Sequence, residues 1–92
     1  KYSKAFVAFP GGFGTLDEFF EMIALIQTGR IEPFPVVLVG RDYWKGLMSW
    51  LRTKCQKLGA ISREDMDIFK IMDDPVKILL YVNDFYAKTG GR

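Results

Sequence analysis

Three short apolar runs along the chain predict three buried strands. They are Ala5–Phe9 (AFVAF), Val36–Val39 (VVLV) and Ile68–Met72 (IFKIM). The first two are almost entirely apolar, which is typical of strands that are covered on both faces of a parallel sheet. Pro33 and Pro35 exclude a helix directly before the second run.

Helical periodicity occupies the segments between these runs. From Thr15 onward, apolar residues recur at spacings of three and four, which predicts an amphipathic helix that Gly29 ends. The apolar positions are Leu16, Phe19, Phe20, Ile23 and Ile26. A second helix is predicted from about Tyr43 to Leu58, with Gly59 closing it. Its apolar face carries Trp44, Leu47, Met48 and Leu51.

Two capping patterns lie nearer the end of the chain. Ser62 and Asp65 have the spacing of a weaker capping box and predict one short helical turn. Asp74 followed by Pro75 predicts the start of a last helix, because aspartate can cap the free amides and proline has no amide to satisfy there. This helix is predicted to run to about Lys88.

The resulting order of elements is β-α-β-α-β-α, which predicts an α/β fold with a parallel sheet, right-handed crossovers and helices on its faces. Three strands are few for such a sheet. The chain also starts without methionine and enters its first apolar run almost at once. We therefore expect residues 1–92 to be the C-terminal half of a single Rossmann-like nucleotide-binding domain.

Composition excludes several classes of function. The 13 basic and 11 acidic side chains form no basic stripe, so no nucleic-acid partner is expected. No apolar run is long enough to cross a membrane. Cys55 is the single cysteine, which excludes an internal disulfide and favours a cytoplasmic setting. Histidine, the commonest general base and metal ligand, is absent, and we expect neither a metal nor a cofactor.

The loop Pro10–Gly14, between the first strand and the first helix, has the composition of an anion-binding site. Gly11, Gly12 and Gly14 allow a ligand to approach the backbone without meeting a Cβ. The free amides and the positive dipole end of the following helix favour a phosphate. The spacing fits neither Walker A nor G-x-G-x-x-G, so ATP-driven phosphate transfer gets no support. The alternative is a purely structural use of glycines in a tight turn.

Glu18 has two interpretations that spacing alone leaves open. It lies three residues after Thr15, so the two side chains could form a capping box at the start of the helix. In the other interpretation, its carboxylate faces the ligand that the glycine loop binds.

The run Pro10–Glu18 (PGGFGTLDE) resembles the PGGxGTxxE signature of the LONELY GUY (LOG) family and matches every fixed position. The flanking stretches YSKAFVAF, IQTGRIEPFPVVLVG and YWKGL are also similar to bacterial members. The resemblance is strong from Tyr2 to about Leu47 and looser beyond. The family contains cytokinin riboside 5′-monophosphate phosphoribohydrolases and broader bacterial relatives, many labelled as lysine decarboxylases.

This resemblance implies a Rossmann-like fold and hydrolysis of the N-glycosidic bond of a nucleoside 5′-monophosphate, giving a free base and ribose 5-phosphate. By position, the residues that would hold the 5′-phosphate are Gly11, Gly12, Gly14 and Thr15. Glu18 would be the catalytic carboxylate near the ribose. The family's second catalytic residue, an arginine, and its first glycine-rich segment would lie upstream of Lys1, so the 92 residues alone are expected to be inactive.

The family resemblance also implies a homodimer or a larger homo-oligomer. The first predicted helix agrees, because apolar residues such as Phe19, Phe20 and Met22 surround much of its circumference. A helix that is apolar on more than one stripe is typically buried on two sides, here against its sheet and against a second subunit.

Other functions are weaker alternatives. Lysine decarboxylation needs a Schiff-base lysine and a partner for the pyridine nitrogen of the cofactor, and no lysine here has such a setting. A non-catalytic nucleotide-binding or molybdenum-cofactor-binding protein could use the same loop, with Glu18 only as a helix cap. A purely structural interaction module is the third alternative.

Overall fold

The computed structural model describes residues 4–88 and contains one parallel sheet. Its strands are β1 (Phe6–Ala8), β2 (Val36–Leu38) and β3 (Lys70–Ile71), in the spatial order β1-β2-β3. Both neighbouring pairs are parallel, over three residues between β1 and β2 and over two between β2 and β3. The predicted α/β class is confirmed, and each strand is shorter than its apolar run.

In the described range 4–88, three helices accompany the sheet, namely α1 (Phe13–Gln27), α2 (Arg41–Trp50) and α3 (Pro75–Lys88). The α2 helix continues as wider π-helical turns over Leu51–Gln56, and a short 3-10 turn covers Glu64–Asp67. Within residues 4–88, no helix has both the length and the apolar character that a membrane span requires.

Two helices begin earlier than their apolar periodicity indicates. The α1 helix begins at Phe13 rather than Thr15, and α2 begins at Arg41 rather than Tyr43. Each starts directly after a glycine. Most side chains of these first turns are exposed, so the core imposes no apolar pattern on them that periodicity could detect.

Glycines end the first two helical segments, as predicted. Gly29 and Gly59 have φ angles of 74° and 82°, in the left-handed region that favours glycine. After α1, the Gly29 amide donates to the Ile26 carbonyl at 3.1 Å, and the Arg30 amide donates to the Leu25 carbonyl at 2.9 Å. This pair of bonds is a Schellman motif, which satisfies the last carbonyls of α1 and turns the chain back toward the sheet.

The hydrogen bonds of both predicted caps in the second half of the chain form, although the 3-10 turn begins at Glu64 with Arg63 instead of Ser62 at its N-cap. The Ser62 amide donates to the Asp65 carboxylate at 2.8 Å, and the Asp65 amide donates to the Ser62 hydroxyl at 3.1 Å. The bond from the Ser62 amide is the main reason why the pKa of Asp65 lies below its ordinary value. At the start of α3, the Val76 amide donates to the Asp74 carboxylate at 2.9 Å.

The core lies where α1 and α2 cover the sheet. Phe19 is fully buried, and its ring centroid lies 5.7 Å from that of Trp44 and 5.1 Å from that of Phe69. Every residue of β2 is fully buried, as predicted for a strand covered on both faces. The burial on both faces that was predicted for β1 is not found within residues 4–88, where Val7 is 37% exposed.

The start of α2 is attached to the end of β3. The Asp73 carboxylate accepts from the amides of Gly40 at 2.7 Å and Arg41 at 3.0 Å. The Arg41 guanidinium donates to the Ile71 carbonyl at 3.1 Å. The Gly40 amide, followed by the Arg41 amide, holds the pKa of Asp73 below its ordinary value of 3.8, because hydrogen bonds to a carboxylate favour its charged form.

Replacing Phe19 with alanine is expected to lower the free energy of unfolding by about 3–5 kcal/mol, because it removes a fully buried aromatic ring. Phe13→Ala is the matched control, since Phe13 is 91% exposed, and should change it by less than about 0.5 kcal/mol. Denaturant unfolding of both variants measures the difference. An equal loss of unfolding free energy in the two variants would contradict the central position of Phe19 in the core.

Asp73→Asn is expected to destabilise the protein in a pH-dependent way. Because the pKa of Asp73 is lower in the folded state, its carboxylate stabilises the fold fully above pH 3.8 and progressively less as the pH falls through the folded-state pKa. The difference in unfolding free energy between wild type and variant should therefore be constant at higher pH and shrink below 3.8. Urea unfolding at a series of pH values tests this, and a difference that persists undiminished in acid would refute it.

Candidate functional site

The glycine loop lies at the carboxyl end of β1, where open parallel sheets bind their ligands. The turn after β2 packs against it. Gly40, with a φ angle of 104°, approaches Pro10 so closely that a Cβ there would lie 3.0 Å from the Pro10 Cγ. The segments that follow two neighbouring strands therefore meet at one edge of the sheet.

The first turn of α1 presents backbone amides that have no helical acceptor. The first intrahelical bond runs from the Leu16 amide to the Gly12 carbonyl, at 3.1 Å. The amides of Phe13, Gly14 and Thr15 precede it, and no side chain in residues 4–88 caps them. Three donors at the positive end of the helix dipole are therefore open to an anion.

Gly11 and Thr15 depend on each other. A Cβ at Gly11 would overlap the Thr15 Oγ1 and lie 2.9 Å from the Thr15 Cβ, so the threonine side chain occupies the space above this glycine. The structural explanation for the glycines thus applies to Gly11. It does not apply to Gly12 and Gly14, where a Cβ would meet nothing within 4 Å among the described residues.

Glu18 does not cap the helix, so the capping-box interpretation is wrong. Gly12 is the N-cap and makes no side-chain hydrogen bond, which places Thr15 at the third helical position instead of at the cap. Glu18 is exposed, and its carboxylate has no hydrogen-bond or ion-pair partner in the described part of the chain. Its side chain is therefore available to a ligand.

Thr15 and Glu18 share one face of α1. Residues three apart on a helix are neighbours, with their Cβ atoms roughly 5–6 Å apart. The helical rise puts Glu18 about 4.5 Å further from the helix start than Thr15. An anion bound by the first amides would thus have a hydroxyl beside it and a carboxylate one turn further along the helix.

A contact that the sequence did not predict involves Tyr43. Its hydroxyl donates to the carbonyl oxygen of Gly11, which lies 32 positions earlier in the chain. The sequence placed Tyr43 only at the start of a helix. The available signal was its position three residues after Gly40, which puts a phenol on the first turn of α2, at the same sheet edge as the loop.

Comparison with known proteins relates the chain to one family. The family model described as possible lysine decarboxylase matches residues 1–82. This match includes the glycine loop, Glu18 and all three strands.

Two of the curated relatives considered, both from plants, are named as phosphoribohydrolases. The probable cytokinin riboside 5′-monophosphate phosphoribohydrolase LOG4 of Oryza sativa subsp. japonica is 39% identical over 88 residues, which are 95% of this chain and 37% of that protein. The cytokinin riboside 5′-monophosphate phosphoribohydrolase LOG3 of Arabidopsis thaliana is 46% identical over 63 residues, 67% of this chain and 28% of that protein. A bifunctional cytokinin biosynthesis protein of Fusarium pseudograminearum is 40% identical over 69 residues, 74% of this chain and 14% of that protein.

The chain thus spans 37% and 28% of the lengths of the two plant relatives. The family model covers most of its residues, and the nine-residue motif is intact within the matched region. The chain therefore belongs to the LOG family, which the matching model describes as possible lysine decarboxylase.

Proposed function

We propose that the protein containing this chain hydrolyses the N-glycosidic bond of a nucleoside 5′-monophosphate, such as AMP or a cytokinin riboside monophosphate. The products are the free base and ribose 5-phosphate. The observation that carries this proposal is the uncapped first turn of α1 with the exposed Glu18 one turn further along. The names of the plant relatives support the same reaction class.

In this proposal, the 5′-phosphate lies over the start of α1. The amides of Gly14 and Thr15 and the Thr15 hydroxyl donate hydrogen bonds to its oxygens, and the helix dipole favours its negative charge. The missing side chains at Gly12 and Gly14 leave room for it. Gly11 contributes indirectly, because its missing Cβ gives the Thr15 side chain its position.

The ribose attached to such a phosphate comes within reach of Glu18. When the bond between C1′ and the base nitrogen breaks, positive charge develops on the sugar, and a carboxylate stabilises it or orients the attacking water. The water oxygen bonds to C1′, and a proton from the water ends on the departing base. Hydrolysis of this kind needs no cofactor or metal.

A non-catalytic nucleotide or molybdenum-cofactor carrier would use Glu18 only as a helix cap. Because Gly12 occupies the cap position of α1, this alternative leaves Glu18 without a role.

The remaining parts of the proposal are an arginine supplied from upstream of Lys1, a homodimer or larger homo-oligomer, and a cytoplasmic location.

Glu18→Gln in the full-length protein is expected to lower kcat for base release from AMP by roughly 10²–10⁴-fold, the usual contribution of a positioned acid or base. Stability should not change, because the side chain is exposed and has no partner within residues 4–88. Glu21→Gln is the control, an exposed glutamate on the same helix, and should retain activity. Chromatography of the released base gives kcat for the wild type and for both variants.

Full activity of Glu18→Gln would show that Glu18 has no catalytic role. Intact AMP after prolonged incubation with the wild-type full-length protein, with other monophosphates also unchanged, would refute the hydrolase itself.

Gly14→Ala is expected to weaken ligand binding, whereas Gly11→Ala is expected to lower the stability of the protein. A methyl group at Gly14 meets nothing within 4 Å among residues 4–88 and favours the helix, so stability should hold or rise by up to about 1 kcal/mol. Because Cβ atoms tilt toward a helix start, the methyl group should weaken AMP binding about tenfold or more, equivalent to about 1.4 kcal/mol.

At Gly11 the methyl group collides with Thr15 and should destabilise the protein by about 1–3 kcal/mol. Calorimetric titration with AMP and denaturant unfolding separate the two effects. Normal AMP binding by Gly14→Ala would exclude a phosphate from the first turn of α1.

A further inference from the structure

Tyr43 connects the second helix to the glycine loop through the hydrogen bond from its hydroxyl to the Gly11 carbonyl. We infer that Tyr43 is a positioning residue, which orients the loop so that its amides face a phosphate. This inference rests on the proposed function insofar as the ligand carries a phosphate group. Tyr43 itself donates to the backbone and not to the ligand.

The argument starts from the peptide group between Gly11 and Gly12. This group is planar and trans, so its carbonyl and its N–H point in opposite directions. Holding the Gly11 carbonyl toward α2 therefore turns the Gly12 amide away from Tyr43. It also fixes the peptide that leads into Gly12, the N-cap directly before the free amides of α1. Glycines on both sides give this peptide more rotational freedom than other residues would, and one hydrogen bond removes much of that freedom.

The donor is itself held firmly by its neighbours. The ring of Tyr43 packs edge-on against Trp44, with centroids 5.0 Å apart and an angle of 84° between the planes. Trp44 is fully buried, and its Nε1 donates to the Val39 carbonyl at 2.9 Å. The packing against Trp44 therefore restrains the Tyr43 ring, although 45% of Tyr43 is exposed.

The helix that carries Tyr43 is fixed relative to the loop from two sides. The contact between Gly40 and Pro10 holds its start against the loop. The Asp73 carboxylate holds the same start to the end of β3 through the amides of Gly40 and Arg41. Loop, α2 and sheet thus form one connected unit, in which the tyrosine hydroxyl is the contact that reaches the Gly11–Gly12 peptide.

Tyr43→Phe in the full-length protein removes this hydroxyl and keeps the ring. A hydrogen bond of this kind corresponds to roughly a two- to tenfold change in an equilibrium constant. We expect Kd for AMP and for inorganic phosphate, and KM for AMP, to rise by about that factor, with kcat nearly unchanged because phosphate binding is uniform between ground and transition state.

Tyr81→Phe is the matched control. Tyr81 lies on α3, its ring contacts Phe85 at a centroid distance of 6.4 Å, and its hydroxyl makes no hydrogen bond within residues 4–88. This variant should bind both probes and turn over AMP like the wild type. Calorimetry, steady-state kinetics and a thermal melt of each protein supply the comparison.

Unchanged Kd values for both probes in Tyr43→Phe would overturn the inference, and so would a lower kcat and melting temperature with unchanged Kd, which indicates a merely structural role. If the wild type binds AMP but releases no base, the proposed hydrolysis fails, and the comparison of Kd values still decides the role of Tyr43. If the wild type binds neither probe, both proposals fail.

Discussion

The free backbone amides at the start of α1 are the constraint on which the rest of this site depends. A helix leaves its first amides without internal acceptors, and most helices cover some of them with a capping side chain. Here the N-cap is Gly12, which has no side chain to offer. This uncovered helix start follows β1 and lies beyond its carboxyl end, the position at which open parallel sheets generally bind ligands, and its positive dipole end favours an anion.

The packing of α1 connects this electrostatic feature to the core. Phe19 is fully buried against the rings of Trp44 and Phe69, which fixes the rotation of the helix about its axis. Glu18 precedes Phe19 by one residue, roughly 100° around the helix, so the burial of one side chain keeps the other at the surface. The core thus sets both where the amides lie and which way the carboxylate projects.

The sequence predicts those features that depend on local chemistry. The order of strands and helices, the glycines that end the helices and the caps at Ser62 and Asp74 all follow from neighbours within a few residues. The exact starts of α1 and α2 do not, because their exposed first turns lack apolar periodicity. The bond from Tyr43 to Gly11 joins residues 32 positions apart, and the bond from the Gly40 amide to Asp73 joins residues 33 positions apart. Such contacts cannot be predicted from local sequence, because they form only when the strands pair and bring the segments after them together.

The most direct test of this account is a crystal structure of the full-length protein with AMP bound. The account predicts that phosphate oxygens lie about 2.7–3.2 Å from the amides of Gly14 and Thr15, with C1′ of the ribose facing the Glu18 carboxylate. A phosphate bound elsewhere, with the first turn of α1 unoccupied or covered by another part of the protein, would contradict it.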